Sequence, residues 1–367
     1  MNETQKLYEK VHYGLRLFIL TICTSSVYAD ALNTQENAAT VLTTGTQAKI
    51  IDSDKTVYPS KALRDEVEGW VIINFLVKKD GTTDDIQIQE ASIEDYFDKS
   101  AIDATKSRIY KPATLNGKPV MEGNKSITHS FSFRDADGGV SKAFRKTYIK
   151  SMKAIEEDDL DLAKDYIDKL DGNKKWLLAE VCYLDMLKGN YFSKRGDKAA
   201  ALYHIDRALV IADVVASEVI YKQLLRQSFF FNGSMNNFQA SLRAYDTLLK
   251  IDKDLASDDP IRVFGEQVRQ ALSGETTITT SGEISVCATC GSPIAFWRRE
   301  LNRKRFLIDQ VVGEVTEIMV GCRAGTVSLI YEPELIWSVD QNWKDCSLRV
   351  FGEEGTTLRL VEYPNDS

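Results

Sequence analysis

At 367 residues the chain is too long for one compact core, and roughly two or three domains are expected. Hydrophobic content of 43% and charged content of 27% are those of an ordinary soluble globular protein. A net charge of −8, with no long basic stripe against it, argues against a nucleic-acid partner.

The first 29 residues read as a signal peptide. Lys6, Lys10 and Arg16 precede a short apolar run, Leu17 to Cys23, and Val27-Tyr28-Ala29 supply a cleavage site before Asp30. That run is too short for a membrane-spanning helix, which takes ~20 residues; a disordered N-terminus is the alternative reading. Residues 30–56, rich in Asn, Thr, Ala and Gln, read as a linker with at most one short strand.

The first core begins at Tyr58-Pro59, where proline before Ala62 and Leu63 suits a short helix. Trp70 to Val77 is almost continuously apolar and reads as a buried strand. Asp80-Gly81 is a hairpin signal, and Ile86 and Ile88 then alternate with Gln87 and Gln89. Phe97, Ala101, Ile102, Ala104 and Ile109 recur at helical spacing and stop near Pro112. Ile127, His129, Phe131 and Phe133 alternate again as a last strand. Two helices and three strands form a small α+β layer over 57–135.

Gly138-Gly139 marks the next boundary, and 140–274 is helical almost throughout, with loops expected at Asp171–Asn173, Gly196-Asp197 and Asn232-Gly233. Three similar segments align on Ala163, Ala200 and Ala240, separated by 37 and 40 residues. This resembles the tetratricopeptide (TPR-like) helical-pair repeat, whose period is ~34, and implies a curved solenoid. A plain helical bundle is the other reading. Over 283–365 the period changes to two, as in a small all-β sandwich or barrel. Strands are expected at 314–320, 326–331, 335–339, 346–351 and 357–363, and only Pro293 to Arg303 hints at a helix. Arg298, Arg299, Arg303, Lys304 and Arg305 read as a solvated basic face, with an anionic envelope partner as the alternative.

Catalytic and metal chemistry find little footing in the residue types. Neither HExxH, a Gly-rich phosphate loop nor a Ser-His-Asp order occurs, and His129 reads as a pleat residue. Cys287-Ala-Thr-Cys290 lacks the second close pair of a zinc ribbon and the βαβ context of a thioredoxin-like site. Structural disulfides fit better: Cys322–Cys346 and Cys287–Cys290. Cys182, in a helical pattern, reads as a buried thiol. Neither a cofactor nor a metal is expected.

The first-domain pieces carry a resemblance. Tyr58-Pro59, Ala62, Glu68-Gly69, the strand Val71 to Val77, Asp80-Gly81, Phe97, Ala101, Ala104, Tyr110 to Pro112 and Gly117-Lys118-Pro119 resemble, in order and spacing, the TonB C-terminal domain family. The pattern along the whole chain is that of a multidomain α+β protein, and the resemblance implies a strand that pairs with peptides. The implied binding edge is the last strand: Ser126, Ile127, Thr128, His129, Ser130, Phe131, Ser132 and Phe133. Arg108 stands where the family usually has tryptophan, and seven prolines are too few for a long proline-rich spacer. The resulting expectation is a non-enzymatic periplasmic adaptor that binds a protein or peptide segment, such as part of an outer-membrane transporter, or another envelope component. It meets a membrane only if the N-terminal segment stays uncleaved. The alternatives are a TonB-type energy transducer held in the inner membrane and a CxxC thiol-disulfide protein.

Overall fold

The structure, a computed structural model, describes residues 45–115, 117–133, 139–173, 175–286, 294–322, 325–340, 343 and 345–364. The expected signal peptide and the expected Cys287–Cys290 bridge lie outside the described residues.

The chain opens with β1 (Gly45–Thr46) and β2 (Lys49–Asp52), then α1 (Ser60–Asp65), β3 (Gly69–Val77), β4 (Thr83–Ala91) and α2 (Asp98–Lys106). Three short strands, β5 (Ile109–Lys111), β6 (Ala113–Leu115) and β7 (Lys118–Val120), lead to β8 (Glu122–Phe131). The main sheet is antiparallel in the order β4-β3-β8. Its hairpin turns at Gly81, whose φ of 86° suits glycine, while the Asp80 carboxylate accepts from Thr82 N at 2.9 Å. Helix α2 lays Ala101 on the sheet, and Phe97 stacks on Phe131 with centroids 4.4 Å apart. The linker reading is corrected over 45–52: β1 pairs with β6 and β2 with β5. Ala48 between them is buried and donates its N–H to the buried Glu122 carboxylate, a pairing that no local pattern encodes.

Helices α3 (Lys142–Glu156), α4 (Leu160–Asp171), α5 (Leu178–Lys194) and α6 (Lys198–Leu209) follow, then a one-turn α7 (Ala212–Val215). Helices α8 (Glu218–Ser234), α9 (Phe238–Ile251) and α10 (Pro260–Ser273) complete the all-α region. They pack as hairpins α3/α4, α5/α6 and α8/α9, with α10 on α9. Asp159 and Asp197 cap α4 and α6 by accepting from Leu162 N and Ala200 N. Counted from these caps and from Asn237 before α9, the equivalent buried small residues are Ala163, Ala201 and Ser241. They replace the sequence alignment on Ala163, Ala200 and Ala240. Ser151 and Ser241 hydroxyls donate to the Ala163 and Phe229 carbonyls of the partner helix. The loop expected at Asn232-Gly233 is also corrected: both lie buried inside α8, where Gly233 lets Phe264 approach.

The C-terminal region begins earlier than expected, at β9 (Ile278–Glu283) and β10 (Ser285–Val286). Then come β11 (Ala295–Glu300), β12 (Arg305–Val312), β13 (Val315–Cys322), β14 (Gly325–Leu329), β15 (Trp337–Ser338), β16 (Ser347–Gly352) and β17 (Thr357–Tyr363). They form two antiparallel sheets, β10-β11-β16-β13-β14 and β15-β12-β17-β9, around a core of Phe306, Ile308, Ile318, Val320, Leu348, Val350 and Leu360. The helix expected within 293–303 is instead strand β11, because Phe296 to Glu300 pair with Phe351 to Ser347 of β16. Cys322 and Cys346 are disulfide-bonded, and Cys182 is a buried free thiol whose pKa burial pushes up to about 12.

Reading the basic run as one solvated face also fails. Arg303 is only 1% exposed and donates to the carbonyls of Ala271, Leu272, Gly274 and Thr276 at 2.6–3.0 Å. It closes the C-terminus of α10, where orphan carbonyls and the helix dipole favour a cation. The buried Glu362 accepts from Asn302 N and Arg303 N alongside it. The first domain is joined to the helices as firmly. Glu68, 6% exposed, accepts from Leu178 N at 2.7 Å, and its own N–H donates to the Trp176 carbonyl at 2.8 Å. Arg207 on α6 lies over Trp70 and pairs with Asp185 and, from the sheet, Glu90.

Candidate strand-addition edge

Strand β8 is an outer strand of its sheet: among the described residues it pairs with β3 and with no other strand. Which of its backbone groups face outward follows from β3. Trp70 directs both N–H and C=O toward β4, donating to Ser92 Oγ at 2.8 Å and accepting from Ser92 N at 2.9 Å. In an antiparallel ladder one residue's N–H and C=O point the same way and alternate along the strand. Trp70 stands opposite Ser130, Ile72 opposite Thr128 and Asn74 opposite Ser126. The N–H and C=O of Ser126, Thr128 and Ser130 therefore point away from the sheet. Those of Ile127, His129 and Phe131 bond inward, to Ile73, Val71 and Gly69.

Side chains sort the same eight residues again. Ser126, Thr128 and Ser130 are exposed, whereas His129 and Phe131 are buried and Ile127 is half-buried. Ser132 and Phe133 lie beyond the strand, where Glu68 accepts from Phe133 N at 2.9 Å and Ser132 Oγ at 3.4 Å. Phe133 stacks on Tyr58 with centroids 4.8 Å apart. Of the eight residues read from sequence, three thus combine outward backbone with exposed side chains.

His129 holds β8 to α2. Thr105 Oγ1 donates to the Ala101 carbonyl at 2.8 Å, so its 2.9 Å contact with His129 accepts the Nε2–H. Nδ1 is then the acceptor for the Thr56 hydroxyl at 3.2 Å. Burial, helped by the Arg108 charge, pulls the imidazole pKa down to about 4, so it is neutral at pH 7.

An outer strand with three outward N–H groups and three outward C=O groups is a template for one added strand. Glu68, Gly123 and Arg207, which fix the surroundings of this strand, were not singled out from sequence. Only Glu68-Gly69 within the family-like wording hinted at the first.

Residues 54–133 match the family model of the Gram-negative bacterial TonB protein C-terminal. A solved relative is the solution NMR structure of the Pseudomonas aeruginosa TonB C-terminal domain. It is 28% identical, with 24% of this chain and 89% of that chain covered and a TM-score of 0.22. Among curated proteins none matches. The matched segment ends two residues past β8, so the candidate edge lies wholly inside it. No helix among the described residues is long and apolar enough to cross a membrane.

Proposed function

We propose that this protein is a non-enzymatic adaptor of the Gram-negative envelope, working in the periplasm. Its TonB C-terminal domain takes up an extended peptide segment along Ser126, Thr128 and Ser130. The observation that carries this reading is the outward set of backbone donors and acceptors on an outer strand inside the TonB-matching segment. The partner is a protein segment, with the short periplasmic peptide of an outer-membrane transporter as the first candidate. The helical hairpins, read as TPR-like, hold the domain through Glu68 and Arg207 and offer a second protein-binding surface.

The test is fluorescence anisotropy with a labelled peptide of that transporter type. Thr128→Pro removes an outward N–H without touching the inward ladder, and an edge position tolerates proline. Each ladder bond contributes about 1 kcal/mol and the ring adds a steric penalty, so binding is expected to weaken roughly tenfold. Unchanged affinity with an intact fold rejects the edge. A TonB-type transducer is the second reading, favoured by the family match itself. N-terminal sequencing of the native protein separates the two: Asp30 as first residue supports the adaptor, and Met1 in the membrane fraction the transducer.

A further inference from the structure

Among the described residues the first and last domains touch on the strand that supplies the candidate edge. Strand β14, itself an outer strand, packs against β8 at Gly123. A Cβ added to Gly123 would lie 1.8 Å from Thr326 Oγ1, so only glycine leaves room for this approach. Register places the rest of the contact. Thr326 stands opposite Gly321 and Gly321 opposite Ser347, while Ser328, Met319 and Arg349 form the next row two residues along. Thr326 and Arg349 therefore share one face of the five-stranded sheet. Arg349 feels the carboxylate of Asp85 on β4, which acts against the lowering of its pKa by burial. The β module thus packs on β8 at the end of the small sheet away from Trp70, with Arg349 within the electrostatic reach of Asp85.

This contact is built unlike the other two junctions. Glu68 and Arg207 on one side, and Arg303 on the other, are buried and multiply bonded. The Gly123–Thr326 approach rests on a threonine against a glycine and an arginine within the field of an aspartate. Of these junctions, the one at Gly123 lies beside the edge.

We propose that the C-terminal β module is a lid on the candidate edge: docked at Gly123, it confines an added strand to Ser126–Ser130, and undocking frees β8 from Glu122 onward. The proposal rests on the strand-addition reading above. A partner strand longer than the short window binds the undocked form better and shifts the population toward it, with an apparent affinity scaled by the fraction open.

The experiment compares the full chain in three forms, wild type and two variants, by anisotropy with the same labelled transporter peptide. Thr326→Trp and Arg349→Glu each disfavour docking from the β-module side and leave β8 unaltered. The lid predicts roughly fivefold tighter binding by both variants than by wild type. Equal affinities in all three forms, with Thr128→Pro still disruptive, overturn the lid and leave the edge standing. Absence of binding even in the opened variants overturns both.

Discussion

His129 makes a sharp prediction, because it is a titratable group buried under the candidate edge. Its pKa falls from 6.5 to about 4 on folding, mainly through burial and secondarily through Arg108. A base with a depressed folded pKa stabilises the fold fully above its unfolded pKa of 6.5 and loses that contribution as pH falls through 4. Each unit corresponds to about 1.4 kcal/mol, so the imidazole contributes about 3 kcal/mol that disappears between pH 6.5 and 4. His129→Gln keeps a donor for Thr105 and an acceptor for Thr56 but removes the titration. At pH 7 the variant should cost about 1 kcal/mol. Chemical unfolding at pH 7, 5.5 and 4, with hydrogen exchange across 122–131, should show wild type losing about 3 kcal/mol more than the variant. Parallel pH profiles for the two proteins refute the reasoning.

Three other outcomes follow from buried polar groups and the crosslink. Glu68→Ala leaves Leu178 N and Phe133 N without their carboxylate and should cost about 3 kcal/mol, read as a lower unfolding midpoint in denaturant. Arg303→Met orphans four carbonyls and should cost about 3 kcal/mol or more, with hydrogen exchange rising first at the end of α10. Replacing Cys322 and Cys346 by serine opens a bridge spanning 24 positions and should destabilise the β module by roughly 3 kcal/mol, measured by calorimetry.

The parts legible in the sequence were those whose signal is local. Asp80-Gly81 dictates a positive-φ turn, and the apolar run after Gly69 reads as a strand, which from Val71 alternates buried and half-buried residues. Strand β9 was missed because Thr279, Ser281 and Glu283 are too polar to stand out. Strand β11 was misread because its arginines hide the alternation, and its state is decided by pairing with β16 some 50 residues later. Arg303 is another such case: the carbonyls that bury it belong to a helix end that no window around residue 303 contains. The candidate strand was legible, but its outward half was not. Trp70 and Ser92 set that parity across a different pair of strands, so residues that look equivalent along β8 differ in what they offer a partner.

Glu68 also decides how this molecule should be dissected. The sequence invites a cut in the glycine pair near residue 139, yet the carboxylate that receives Phe133 N on one side receives Leu178 N on the other. A fragment ending at that cut keeps every strand of the TonB-matching segment but exposes a carboxylate that the full chain buries at this seam. Its affinity for peptides would describe an amputated surface, and measurements of recognition belong to the chain that carries α5 along.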